Sequence, residues 1–329
     1  MNIMEVFTEN KLKSGFNRNW LEKFASFAAL LLMVIIFCII CPPFRTINNV
    51  ITVALQTSII SYMGIGVTFV IITGGIDLGI GSVLAFSGVV TGLAMNAGLP
   101  SPLAILIGLL VGVVCGLVNG FVIAKMKLPP FIATLGMMMI ARGAGLYLTN
   151  AAPLTVTDPF FDLLGGTLHI KGLEIPIPVP VIIMLLVALI FSFILRKTRL
   201  GRYAYAIGSN EEAARLSGLN ITRTKYMLYA ICGLLSALTG IVLASRLSSA
   251  QATAGQSYEL DAISAAVIGG TSLMGGVGTI MGTMIGAFII QVLRNGLNMM
   301  GVSSFIQQMT IGGVLILAVY IDQLRNKKV

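Results

Sequence analysis

Apolar residues fall along the chain in long runs, at about 24–41, 50–72, 78–98, 102–124, 131–148, 179–195, 226–246, 261–273, 278–297 and 304–321. Crossing a bilayer takes about 20 apolar residues per helix, so the pattern predicts an all-α integral membrane protein with about ten transmembrane helices. The short run at 261–273 leaves that count open by one or two. The first run is longer than the h-region of a signal peptide, and Cys-Pro-Pro-Phe follows it in place of a small-residue cleavage site, so it reads as a retained span. Almost nothing remains for a domain outside the membrane, and 1–329 reads as a single transmembrane domain.

Composition agrees with the pattern. The 329 residues are 57% hydrophobic and 10% charged, against about 25% charged in soluble proteins. The mean hydropathy is +0.96. Disorder is excluded by the same balance. The net charge of +9 would suit nucleic acid, but its placement follows the positive-inside rule. The segments 1–23, 125–130, 196–225 and the tail after 321 hold 16 of the 21 Lys and Arg residues. The stretches at 151–178 and 248–260 are acidic on balance. Both termini are therefore expected in the cytoplasm, with 1–23 a cytoplasmic N-terminus and 196–225 a cytoplasmic loop. No nucleic-acid partner is expected.

Two apolar stretches are interrupted. Residues 73–82 read TGGIDLGIGS and residues 268–279 read IGGTSLMGGVGT. Glycine costs about 1 kcal/mol relative to alanine inside a helix, and irregular backbone within a membrane is tolerated only where protein or a cavity surrounds it. Similarity also links PFIATLGMMMI at 130–140 with SFIQQMTIGGV at 304–314. A repeat offset by five spans is inverted across the membrane, which with interrupted helices is a transporter pattern. Thr73, Gly74, Gly75, Asp77, Gly269, Gly270, Thr271 and Ser272 are the candidates for the translocation path or its hinges. Close helix packing is the competing explanation for the glycines. Asp77 has two readings: a cap on the half-helix that follows it, or the proton or sodium group of an ion-coupled secondary carrier. Asn119, Arg142, Gln291, Arg294 and Gln308 are the other polar groups in or near spans, and the two arginines are expected to snorkel to the surface.

The loop at 196–225 contains a predicted short helix. Ser209 and Glu212 fit a capping box, Glu211 adds a carboxylate to the first turn, Ala213 and Ala214 favour helix, and Gly218 supplies the stop. A helix this short does not persist alone, which implies a partner for its Glu212, Arg215 and Leu216 face. Juxtamembrane Arg196, Lys197, Arg199 and Arg202 suit lipid headgroups. Cys38, Cys41, Cys115 and Cys232 lie in or at the ends of apolar runs and read as small hydrophobes. His169 is the single histidine and is expected to be solvated in an outside loop. No P-loop, zinc-protease or nucleophile-elbow motif occurs, so the chain is not expected to be an enzyme or to hold a cofactor.

Nearly the whole chain resembles the permease subunits of ABC importers for ribose and related monosaccharides. The matching stretches are FRTINN at 44–49, TGGIDLGIGS at 73–82, PFIATLGMMMIARG at 130–143, TRLGRYAYAIGSNEEAARLSG at 198–218, SRLSSAQ at 245–251, GQSYELDAISAAVIGGTSLMGG at 255–276 and NGLNMMGVSSF at 295–305. The resemblance implies an inner-membrane permease that pairs with a second copy of itself. It also implies a cytoplasmic ATPase that carries ATP and magnesium, and an extracytoplasmic binding protein that delivers the sugar. Glu212 to Gly218, EAA-x-x-x-G, resembles the ATPase-docking motif of importer permeases, without the Ile-x-Leu-Pro that extends it elsewhere. The docking residues it implies are Ser209, Glu211, Glu212, Ala213, Ala214, Arg215, Leu216 and Gly218. An ion-coupled sugar carrier using Asp77 is the alternative from another class.

Overall fold

The computed structural model describes residues 26–168 and 176–326. His169, Lys171 and Glu174, the basic residues of 1–23, and Lys327 and Lys328 lie outside the described residues. The rest is a helical bundle: α1 (Ser26–Ile40), α2 (Ile47–Ile72), α3 (Ile80–Asn96), α4 (Ser101–Ala124), α5 (Pro130–Thr149), α6 (Pro159–Gly165), α7 (Val179–Lys197), α8 (Arg199–Ser209), α9 (Glu211–Leu216), α10 (Ile221–Leu247), α11 (Tyr258–Ile268), α12 (Ile280–Met299) and α13 (Ser304–Asn326). Every apolar run has become a helix. Six of them, α2, α4, α5, α7, α10 and α12, are long and apolar enough to cross a membrane, while α1, α3 and the apolar part of α13 are shorter. α11, the doubtful run, has 11 residues.

Two small antiparallel ribbons, which the sequence did not suggest, tie the loops together. β1 (Leu154–Thr155) pairs with β4 (Ser249–Ala250), and β2 (Thr167–Leu168) pairs with β3 (Ile177–Pro178). The first joins the loop after α5 to the loop after α10, and the second closes the segment between α6 and α7 on itself. Asp158 caps α6 by accepting the N–H groups of Phe160 and Phe161 at 3.0 and 2.9 Å. A Ser101 hydrogen bond, with that of Phe161, holds its carboxyl below the usual range.

α2 is the axle of the bundle, with 89% of its most apolar window buried. Lipid tails are as apolar as leucine, so helices in membranes associate through close packing and interhelical hydrogen bonds. Both devices are present. Thr68 of α2 and Thr283 of α12 bond through their hydroxyls at 2.6 Å. On α4, Gly112, Gly116 and Gly120 form a stripe with a spacing of four residues. It lies against the backbone of Gly233, Tyr229 and Tyr226 on α10, which a Cβ on the stripe would strike. Other buried hydroxyls bond back to the carbonyl four residues earlier, as Thr57 does to Val53 and Thr239 to Leu235, both at 2.7 Å. This lets these hydroxyls sit inside the bundle with their donors met.

Candidate translocation path and docking loop

The two interruptions are built alike. α2 ends at Ile72 and α11 at Ile268, and the second residue beyond each end is a glycine in the left-handed region, Gly74 at φ +76° and Gly270 at φ +89°. In the first, the Gly75 N–H returns to the Val70 carbonyl at 3.2 Å; in the second, the Thr271 N–H returns to the Ala266 carbonyl at 2.9 Å. These are Schellman ends, in which a glycine without Cβ allows the chain to reverse while late carbonyls stay bonded. The chain then runs as irregular backbone to α3 and α12. Thr279 caps α12 by accepting the Gly282 N–H at 3.1 Å.

The structure brings the two breaks into contact. The Gly276 N–H donates to the Ile72 carbonyl at 2.8 Å, so the second break completes the end of the first helix. The C-terminus of α8 meets them at the same point. A Cβ on Gly208 would fall on the Ile72 carbonyl and the Gly276 nitrogen, and one on Gly275 would come within 2.8 Å of the Gly208 carbonyl and 3.1 Å of the Gly74 nitrogen. The Tyr205 hydroxyl, one turn earlier on α8, donates to the Gly278 carbonyl at 2.6 Å. Tyr205 and Gly208 are not among the sequence candidates because nothing in their local sequence shows contact with residues so far along the chain.

The remaining path candidates divide by role. Asp77 is buried, and its Oδ1 accepts the Gly79 N–H at 2.9 Å. Asn119 and Cys232 contribute further hydrogen bonds. Asp77 therefore braces the break before α3 and is not the helix cap expected of it, since the N-cap is Gly79 and no side chain caps the first turn. Thr134 of α5 stitches down the same break, accepting the Leu78 N–H at 3.2 Å and donating to the Ile76 carbonyl at 3.2 Å. Thr271 and Ser272 are buried, Thr73 and Gly269 half-buried, Gly75 buried, and Gly74 and Gly270 exposed. A void of about 10 Å³ between α3, α10 and the loop at 249–254 has room for about one water and not for a sugar.

The arginines do not behave as expected. Rather than snorkelling, Arg142 donates through Nη1 to the carbonyls of Ala252 and Ala254. Arg294 pairs with buried Asp261 at 2.9 Å. Asn119 and Gln291 are buried and Gln308 is exposed.

The loop at 196–225 departs from expectation in two ways. It holds two helices, α8 and α9, because α7 continues through Lys197 and α10 starts at Ile221. Ser209 is the last residue of α8 and not the N-cap of α9. That role belongs to Asn210, whose side chain accepts the Ala213 N–H at 2.9 Å. The capping-box assignment of Ser209 fails because α8 runs on to occupy that residue. Gly218, at φ +80°, does end the turn after α9. Glu211 reaches back to Lys225 at 2.8 Å and Ala214 is buried, which fixes α9 against α10. Glu212 and Arg215 face outward with side chains 62% and 65% exposed, and Leu216 is 79% exposed. Arg215 donates to Glu212, which holds that carboxyl below its ordinary range.

Residues 49–319 match the family described as the permease component of the branched-chain amino acid transport system. The chain belongs to this permease family. It is 47% identical over 308 residues to the ribose import permease protein of Bacillus subtilis strain 168, covering 93% of this chain and 94% of that one. Against the ribose import permease protein of Escherichia coli K12 the identity is 45% over 316 residues, covering 95% and 96%. Against the L-arabinose transport system permease protein of the same organism it is 37% over 317 residues, covering 96% and 95%. As a member of this permease family with six helices fit to cross a bilayer, the chain is a multi-pass membrane protein and a transport subunit.

Proposed function

We propose that this chain is the permease of a binding-protein-dependent ABC importer and moves ribose or a related monosaccharide across the cytoplasmic membrane by ATP-driven alternating access. It makes about ten passes as an inverted repeat, with both termini in the cytoplasm, and works beside a second copy of itself. A separate ATPase binds ATP and magnesium, and an extracytoplasmic binding protein supplies the sugar. The observation that carries the reading is the joint between the loop and the breaks. An outward-facing helix, α9, follows α8 after the single extended residue Asn210, and the end of α8 rests on both interrupted helices. A push on Glu212, Arg215 and Leu216 therefore has a short route to the path, through Asn210 and the end of α8. The names of the similar permeases supply the sugar. Asp77 is engaged by backbone and neighbouring side chains, which disfavours the ion-coupled carrier.

Labelled ribose uptake into proteoliposomes holding the permease, its ATPase and the binding protein is expected to need both ATP and the binding protein and to ignore an uncoupler. Uptake driven by an ion gradient without ATP would overturn the importer. The docking role has its own check. Asn210→Ala removes the cap of a six-residue helix, a loss of about 0.5–2 kcal/mol from an element with no stability of its own. Less ATPase is expected to co-purify with the variant, with uptake falling in step.

A further inference from the structure

The loop at 251–257 and the first turn of α11 bring together four charges from three helices: Arg142 on α5, Glu259 and Asp261 on α11, and Arg294 on α12. Asp261 and Arg294 satisfy each other in a two-oxygen ion pair, with Nη2 at 3.0 Å from Oδ1 and 2.9 Å from Oδ2. Arg142 and Glu259 do not. Arg142 is bonded to the Ala254 carbonyl and the Glu259 carboxylate meets the next carbonyl, that of Gly255, beside Gly81, yet among the described residues no ion pair or hydrogen bond joins them. Arg142 spends Nη1 on the carbonyls of Ala252 and Ala254. Its Nε and Nη2 donors have no acceptor among the described residues. Among the described residues no side chain donates to the Glu259 carboxylate.

Ionisable groups gathered where spans meet are by default candidates for a substrate path. Here one pair is closed and its neighbour is open. The loop beside it is unusual: Gly255 and Ser257 both stand at positive φ, +67° and +68°, an uncommon conformation for serine. Gly81 of α3 lacks the Cβ that would collide with the Glu259 carboxylate and the Gly255 carbonyl. Thr253 and Gln256 stand exposed on the same loop. The four charges cancel, so the cluster suits neither an anion nor a cation. It offers separate donors and acceptors to a neutral molecule whose groups can both give and take hydrogen bonds.

We propose that Arg142 and Glu259, with the loop at 251–257, form a station that recognises the hydroxyl groups of a neutral polyol as it passes through the permease. The inference rests on the importer reading and adds a sugar-contacting site to it. Hydroxyl groups of the polyol accept from the Arg142 guanidinium and donate to the Glu259 carboxylate.

The permease–ATPase complex in lipid nanodiscs, without binding protein, is titrated with labelled D-ribose and L-arabinose, and sugar uptake is measured in parallel with the binding protein present. Saturable binding of at least one sugar is expected, weakened about tenfold or more in Glu259→Gln and Arg142→Gln, since each loses a charged hydrogen-bond partner. Wild-type uptake with binding unchanged in both variants would overturn the station and leave the importer standing. A wild-type complex that transports no sugar would overturn the importer and the station with it. If the charge variants fail to assemble, Thr253→Cys and Gln256→Cys, at exposed positions, carry the test. Either sugar is expected to slow their labelling by a membrane-impermeant thiol reagent, and equal labelling with and without sugar would overturn the proposal.

Discussion

Gly112→Val is expected to prevent the protein from accumulating as a folded, monodisperse species in mild detergent. The stripe of Gly112, Gly116 and Gly120 lets α4 rest directly on the backbone of α10. A Cβ at Gly112 would strike the Gly233 carbonyl and the Ala237 side chain. Overpacking among movable side chains costs about 1–3 kcal/mol, but a carbonyl inside a helix cannot rotate out of the way. The two helices must separate along the length of their contact, with the loss of close packing that holds membrane helices together. The contrast is Gly136→Ala on α5, where a Cβ would meet nothing within 4 Å. Fluorescence-detected size exclusion after a temperature ramp should show Gly136→Ala melting as the wild type does. Gly112→Val should aggregate without a defined transition, and a wild-type melt from it would refute the packing argument.

Gly208→Val is expected to abolish most sugar uptake while the ATPase still co-purifies. Gly208 is where α8 touches the Ile72 carbonyl and the Gly276 nitrogen. Valine there must push α8 off the joint or break the 2.8 Å hydrogen bond between the two breaks. A bias of about 1–3 kcal/mol between two states is enough to shift their equilibrium by about 5- to 150-fold. α9 has its own cap at Asn210 and its own tether from Glu211 to Lys225, so its outward face survives. ATP hydrolysis should therefore continue with little sugar delivered. Tyr205→Phe, which deletes only the bond to the Gly278 carbonyl, should give a milder form of the same defect. Full uptake by Gly208→Val would mean that the joint is not the route of coupling.

Local rules made much of this legible. Each of the ten apolar runs became a helix, and TGG and IGG marked the ends of α2 and α11, because apolarity and the left-handed preference of glycine act within a few residues. The errors came where a neighbouring element competed for a residue. Ser209 looked like an N-cap until α8 claimed it and Asn210 took the role. Arg142 looked like a snorkelling side chain because the carbonyls of Ala252 and Ala254 lie 110 and 112 positions away. The contact between the breaks, the glycine stripe against α10 and the unpaired state of Glu259 are tertiary facts, and no window of sequence contains both partners. Inverted similarity suggested that the breaks are related, but not that they touch.

The hydrogen bond from Gly276 to Ile72 also constrains how the chain can be made. The helix that forms the axle of the bundle has its last carbonyl satisfied by a residue 204 positions downstream. At about 5–20 residues per second, roughly 10–40 s of translation separate the two. Throughout that interval α2 stands in the membrane with an incomplete end, and without α10 and α12, which cover it later. Biogenesis therefore has a long window in which the most deeply buried helix of the finished protein is its least protected one, and the final quarter of the chain must be inserted before that window closes.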